Sequence, residues 1–298
     1  MERITKSLTP AALLVGGIVV FALGTAFALA SDAALSASSG TGASDLGQAA
    51  RWLQFLGVAC LLGAVCTAGW DAIVSSDWVA GAELAAAALG TLLLTISEVT
   101  FAASNGTSSS ATVASAVGIG IWALLVLSRA ARASLAEQRS YGVSQQAAPV
   151  GTPGTSSAVP GLGARAGRAD LWLIAAGGLF ILAIGYGLGS AADSTGSAVA
   201  ADLLQAIGVG VLAWSLVNAR TRAQLNSPAL PVIIVGLALL ALGQVADGIV
   251  AGASFSSAAA LGAGLTVATA IYLAGVAALG WAAWTRVREL SVPQARAL

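Results

Sequence analysis

Apolar residues recur along this chain in separate runs of roughly 20, the length a helix needs to cross about 30 Å of hydrocarbon at 1.5 Å per residue. The runs cover Pro10 to Ala30, Trp52 to Trp70, Val79 to Ala103, Thr112 to Leu127, Leu171 to Ser190, Leu203 to Ala219, Leu230 to Ala253 and Ser257 to Trp284. The pattern predicts an all-α fold, a polytopic transmembrane helical bundle of about eight spans. The first run ends in Ala28-Leu29-Ala30, which resembles a signal-peptide cleavage site. Its apolar core exceeds the 7 to 15 residues of a signal h-region by roughly a third or more, and it has a counterpart later in the chain, so it is expected to be retained.

Between the fourth and fifth runs the character changes. Tyr141 to Arg168 is rich in Gly, Ser, Ala and Gln and holds Pro149, Pro153 and Pro160. That stretch has too little apolar surface to fold and too many helix breakers to span. It divides the chain into a first four-span membrane half, 1–140, a flexible linker, 141–169, and a second four-span half, 170–298.

The halves resemble one another. Laying the first run over the fifth matches Gly16-Gly17 with Gly177-Gly178, Gly24 with Gly185 and Asp32 with Asp193 without a gap. The second answers the sixth through Ala49-Ala50 and Ala200-Ala201, Leu53-Gln54 and Leu204-Gln205, and Gly57-Val58 and Gly208-Val209. In the third and seventh, Leu89-Gly90 resembles Leu242-Gly243, and a shift of about four residues brings Glu98 onto Asp247. The fourth and eighth match in length and in their terminal Arg residues. An even number of spans per half makes the copies parallel repeats, related by an axis along the membrane normal.

Composition supports the same reading. Of 298 residues, 57% are hydrophobic and 9% charged, too few charges to cover a water-facing surface. The 13 basic and 13 acidic residues cancel, so no basic excess points to nucleic acid as a partner. Every basic residue except Lys6 is Arg, and Ala and Gly are abundant, a usage that suggests a bacterial source. Basic residues gather in cytoplasmic loops. An N-terminus on the inside places Arg3, Lys6, Arg129, Arg132, Arg139, Arg165, Arg168, Arg220, Arg222, Arg286, Arg288 and Arg296 there and leaves Arg51 outside. The expected location is therefore the inner (plasma) membrane, multi-pass, with both termini cytoplasmic.

Catalytic chemistry finds little support. Histidine is absent, which excludes His ligation of haem and His proton relays. Cys60 and Cys66 lie six residues apart in one run, about 9 Å along a helix axis, too far for a disulfide. No phosphate-binding loop, dinucleotide fingerprint or metal spacing occurs, and no cofactor is expected.

The candidate chemistry is a small set of polar residues inside the runs, where an ionised carboxylate costs about 2.5 to 3.5 kcal/mol. Glu98 and Asp247 lie a turn or two short of the outer ends of their helices. Thr95 shares a helix face with Glu98 and Gln244 one with Asp247, at i, i+3 spacing. Gln54 and Gln205 enter from the same outer side, and Asp32 and Asp193 close the outer ends of theirs. One reading is capping and snorkelling at helix ends. The sharper one is a pseudo-symmetric, oxygen-lined pocket between the halves that takes a proton or a cation. The pocket makes the protein a small transporter or channel-like protein; capping makes it a noncatalytic accessory or scaffold subunit with other membrane subunits as partners. The lipid bilayer is its solvent in both cases.

Overall fold

Hydrocarbon offers no hydrogen bonds, so a chain this apolar satisfies its backbone internally by forming helices. The computed structural model of the protein describes residues 2–36, 40–74, 78–104, 109–146, 168–191, 194–221, 227–254 and 257–295, and the linker segment 147–167 and Asp193 lie outside them. The described residues contain helices and no strand: α1 (Glu2–Ser36), α2 (Gly40–Val74), α3 (Trp78–Ala103), α4 (Ser109–Gln146), α5 (Arg168–Ser190), α6 (Thr195–Thr221), α7 (Leu230–Gly252) and α8 (Ala258–Ala295). Eight of these helices carry a segment long and apolar enough to cross a membrane. The protein is a multi-pass membrane protein. Helix α4 continues through Tyr141 to Gln146, over the start of the stretch expected to be linker.

The helices form a closed ring. Each packs mainly on its two chain neighbours, and α8 returns to close on α1. Every neighbouring pair is antiparallel. Gln48 near the start of α2 donates its side-chain N–H to the Ala102 carbonyl near the end of α3 at 2.9 Å, and Thr269 of α8 reaches Asp32 near the end of α1. Across the boundary between the halves, Gly187 of α5 lies against Ala116 of α4.

The packing is inverted relative to a water-soluble bundle. The buried apolar residues are mostly Ala, and the largest fully buried side chains are Thr25 and Ser97. Large residues such as Leu23, Leu124, Ile184, Trp214, Ile249 and Trp281 point outward. Lipid is as apolar as leucine, so burial of Leu between helices gains nothing; small residues gain close van der Waals approach instead.

That approach reveals the repeat. At Gly17 an added methyl group would meet the Gly57 carbonyl oxygen at 2.8 Å, and at Gly178 it would meet the Gly208 oxygen at 2.9 Å. Leu61 flanks the first contact and Leu212 the second. Gly24 abuts Ala50 and Gln54, as Gly185 abuts Ala201 and Gln205. In the other hairpins Gly90 meets Gly118, with Trp122 and Leu94 beside them, and Gly236 meets Gly275, with Leu279 and Leu240 beside them. The same crossings thus occur in both halves, arranged as parallel four-helix repeats around the ring.

Candidate functional site

The glycine crossings define which positions correspond, and they amend the alignment of the third and seventh spans. Glu98 lies eight residues past Gly90, and eight residues past Gly236 is Gln244, not Asp247. The Leu-Gly pair at Leu242-Gly243 had suggested a different register; Gly243 is packed against Tyr272, whereas Gly236 makes the helix crossing.

A polar cavity of about 220 Å³ opens inside the ring, lined by Thr25 and Ala28 of α1, Gln54 of α2, Gly243, Gln244 and Asp247 of α7, and Ala268, Thr269 and Tyr272 of α8. It lies between helices of the two halves. Its depth follows from the apolar segments: Tyr272 is the midpoint of Ala259–Thr285, and Gln54 and Thr25 are each two residues from the midpoints of Asp45–Thr67 and Ala12–Ala34. Asp247 lies five residues before the end of α7, about 7.5 Å of helix rise. The cavity therefore runs from near the helix ends to the middle of the spans.

Its walls combine acceptors with small apolar surface. Thr25 turns its hydroxyl to the Phe21 carbonyl at 3.1 Å in its own helix. Thr269 donates to Asp32 Oδ2 at 2.7 Å, tying α8 to α1 beside the cavity. Gln54, Gln244, Asp247 and Tyr272, which line the cavity, form no side-chain hydrogen bond with another described residue. Asp247 is the exposed member of the set.

The other expected site residues divide. Glu98 does not line the cavity, yet it lies within electrostatic reach of Tyr272 and Tyr186. Gln205 is 8% exposed and packs against Gly185, as Gln54 packs against Gly24. Thr95 is buried and bonds the Thr91 carbonyl at 2.9 Å, a contact within its own helix. Asp32 is held at the α1–α8 seam, and Asp193 lies outside the described residues.

Sequence reasoning missed Tyr272, Thr269, Thr25 and Tyr186, which are unremarkable polar positions in isolation. Their signal was available only through register: Tyr186 and Thr25 sit eight residues past matched glycines, and Tyr272 and Ser115 three residues before them. Asp202 of α6 lies against Gly248 of α7 and within reach of Asp247. Glu83 of α3 pairs with Arg132 and, at 3.4 Å, with Arg129 of α4. Among the described residues no group of His, Cys, Asp and Glu is arranged to hold a metal ion. No protein-family model, curated protein or solved structure matches the chain.

Proposed function

We propose that this protein is a plasma-membrane cation carrier or channel-like protein, in which the cavity between the halves binds a cationic solute. The observation that carries the reading is the cavity itself: an open space at mid-span, lined by a carboxylate, two amides and a phenol with no partners among the described residues. Unsatisfied polar groups at membrane depth cost several kcal/mol each, and a cation satisfies acceptors and carboxylate together. Asp32, Asp202 and Asp247 ring the approach, with Asp247 in reach of both others. An acidic approach concentrates cations and repels anions. Sites near the midplane, at the interface between repeats, are the arrangement alternating-access carriers use.

In this reading the termini and linker face the cytoplasm, as the Arg distribution favours, and the cavity opens outward. The source is a bacterial cell. Reconstituted in vesicles, the parent protein should let cations dissipate a diffusion potential, and Asp247→Asn should lower that flux at least tenfold while the protein stays monodisperse. Equal flux through parent, variant and protein-free vesicles overturns the reading. A scaffold role draws on a different feature, the apolar groove of about 380 Å³ between α1 and α8, where Val19, Leu23, Trp281 and Trp284 face outward. A stoichiometric membrane partner recovered with the parent protein and lost in Trp281→Ala would favour it.

A further inference from the structure

The seam between α1 and α8 changes character along its length. Toward the end of α1 and the start of α8 it is tied by the hydrogen bond from Thr269 to Asp32. Toward the start of α1 and the end of α8 the two helices flank the apolar groove of about 380 Å³. The groove has the depth of one leaflet. On α1 it runs from Val15, three residues inside the apolar segment Ala12–Ala34, to Leu23 at the midpoint of that segment; on α8 it runs from Val276 to Trp284, the last residue but one of Ala259–Thr285. Eight residues of each helix rise about 12 Å, against about 15 Å for half the hydrocarbon.

The mouth of the groove departs from the repeat. The crossing at Gly275 corresponds to that at Gly118, so Trp281, Trp284 and Arg288 of α8 stand where α4 has Leu124, Leu127 and Ala131. Trp281 and Trp284 line the groove and are exposed. Arg288 follows them on the same helix face, at i, i+3 and i+7, about 6 Å of rise beyond Trp284. The other charged residues at this level, Glu2, Arg3 and Lys6 of α1 and Arg286 and Glu289 of α8, fall on other faces at about 100° per residue. One face thus carries an apolar slot, then two rings of the kind favoured at a membrane–water interface, then a cation.

We propose that this groove holds an acyl chain of an anionic phospholipid, with the phosphate at the level of Arg288. Depth and charge select the occupant. A partner's membrane-spanning helix needs contact across about 30 Å of hydrocarbon, and the groove ends at the middle of the spans. A lipid chain rooted in one leaflet ends there too. Against an apolar wall one lipid tail gains nothing over another, so the slot positions the chain and the headgroup supplies the selection. A basic residue near an anionic headgroup is worth roughly fivefold in affinity.

The test is quenching of tryptophan fluorescence in the full-length protein, reconstituted in phosphatidylcholine vesicles, with phosphatidylglycerol or phosphatidylcholine carrying brominated chains as probes. The signal of Trp281 and Trp284 is the difference between the parent and the double variant Trp281→Phe/Trp284→Phe; either single variant serves if the double does not fold. That signal should be half-quenched at about a fivefold lower mole fraction of the brominated phosphatidylglycerol than of the brominated phosphatidylcholine. Arg288→Gln should bring the two lipids together, and Arg286→Gln, on another face, should leave the preference as it is. Equal quenching by both lipids in the parent overturns the proposal, as does a preference that survives Arg288→Gln. An equal loss in Arg286→Gln overturns it as well, since general surface charge would then account for the preference. A signal that neither lipid quenches also overturns it and leaves the groove to a protein partner or a second copy of the chain.

Discussion

A single hydrogen in place of a methyl group decides how close two helices of this protein come. At Gly208 an added methyl would meet the Gly178 carbonyl oxygen and the Leu182 backbone nitrogen, both at 2.7 Å, and neither is the end of a flexible side chain. At Gly210, two residues along the same helix, it would meet nothing within 4 Å. Gly208→Ala should therefore push α5 from α6 and cost about 1 to 3 kcal/mol, the usual range for overpacking. Gly210→Ala should be neutral or gain a fraction of the roughly 1 kcal/mol by which alanine exceeds glycine in helix propensity. Denaturation of both variants in mixed micelles checks the contrast; equal stabilities would mean that the crossing is looser than the structure has it. Both glycines stand in the same apolar run, and nothing in their immediate sequence separates them. The repeat does: Gly57 matches Gly208 and makes the same contact.

At the level of elements, the seam that closes the ring joins helices from opposite ends of the chain. It is made by small apolar contacts, such as Gly280 against Ile18, and, among the described residues, by the hydrogen bond from Thr269 to Asp32. Bonds between membrane helices are worth about 0.6 kcal/mol on average and up to about 1.7. Thr269→Val and Asp32→Ala should each destabilise by an amount in that range, and the double variant should lose less than their sum, because each substitution removes the same bond. A double-mutant cycle by unfolding in mixed micelles measures the coupling; strict additivity would show that the two groups do not interact. Span number and the match of the first two hairpin helices with their counterparts were legible in the sequence, since lipid demands long apolar helices and each crossing demands glycine; some bounds were not, the second and sixth spans starting at Asp45 and Thr195 instead of Trp52 and Leu203. The seam was not. Residues as distant as Asp32 and Thr269 meet only because the ring closes, and an Ala-rich wall with large residues outside gives no one-sided stripe from which neighbours could be inferred.

For the molecule as a whole, the candidate site is a property of closure. Gln54, Gln244 and Asp247 were each readable as polar residues within apolar runs, and their convergence on one cavity requires α1 and α2 of the first half to stand beside α7 and α8 of the second. Glu98 was matched with Asp247 only by a shift of about four residues from the Leu242-Gly243 pair, whereas the crossing at Gly236 puts Gln244 at its place in the repeat. The two halves meet along two lines, α4 with α5 and α8 with α1, and only the first is spanned by the linker. If these contacts, rather than the tether, hold the ring together, cutting the chain should leave it closed. A protease site placed in 147–167 and cleaved in the purified protein should give two fragments that elute together in mild detergent and, at micromolar protein, lose no more than about 4 kcal/mol of stability, the thousandfold ratio of effective to actual concentration. The tether's contribution is one of effective concentration alone, which millimolar-range linkers add without new contacts. Because the cavity is walled by both fragments, a cleaved protein that stays whole should also retain cation flux. Fragments that separate on cleavage would show that the α4–α5 and α1–α8 lines are too weak to shape a site, and would remove the ground on which a cavity between the halves stands.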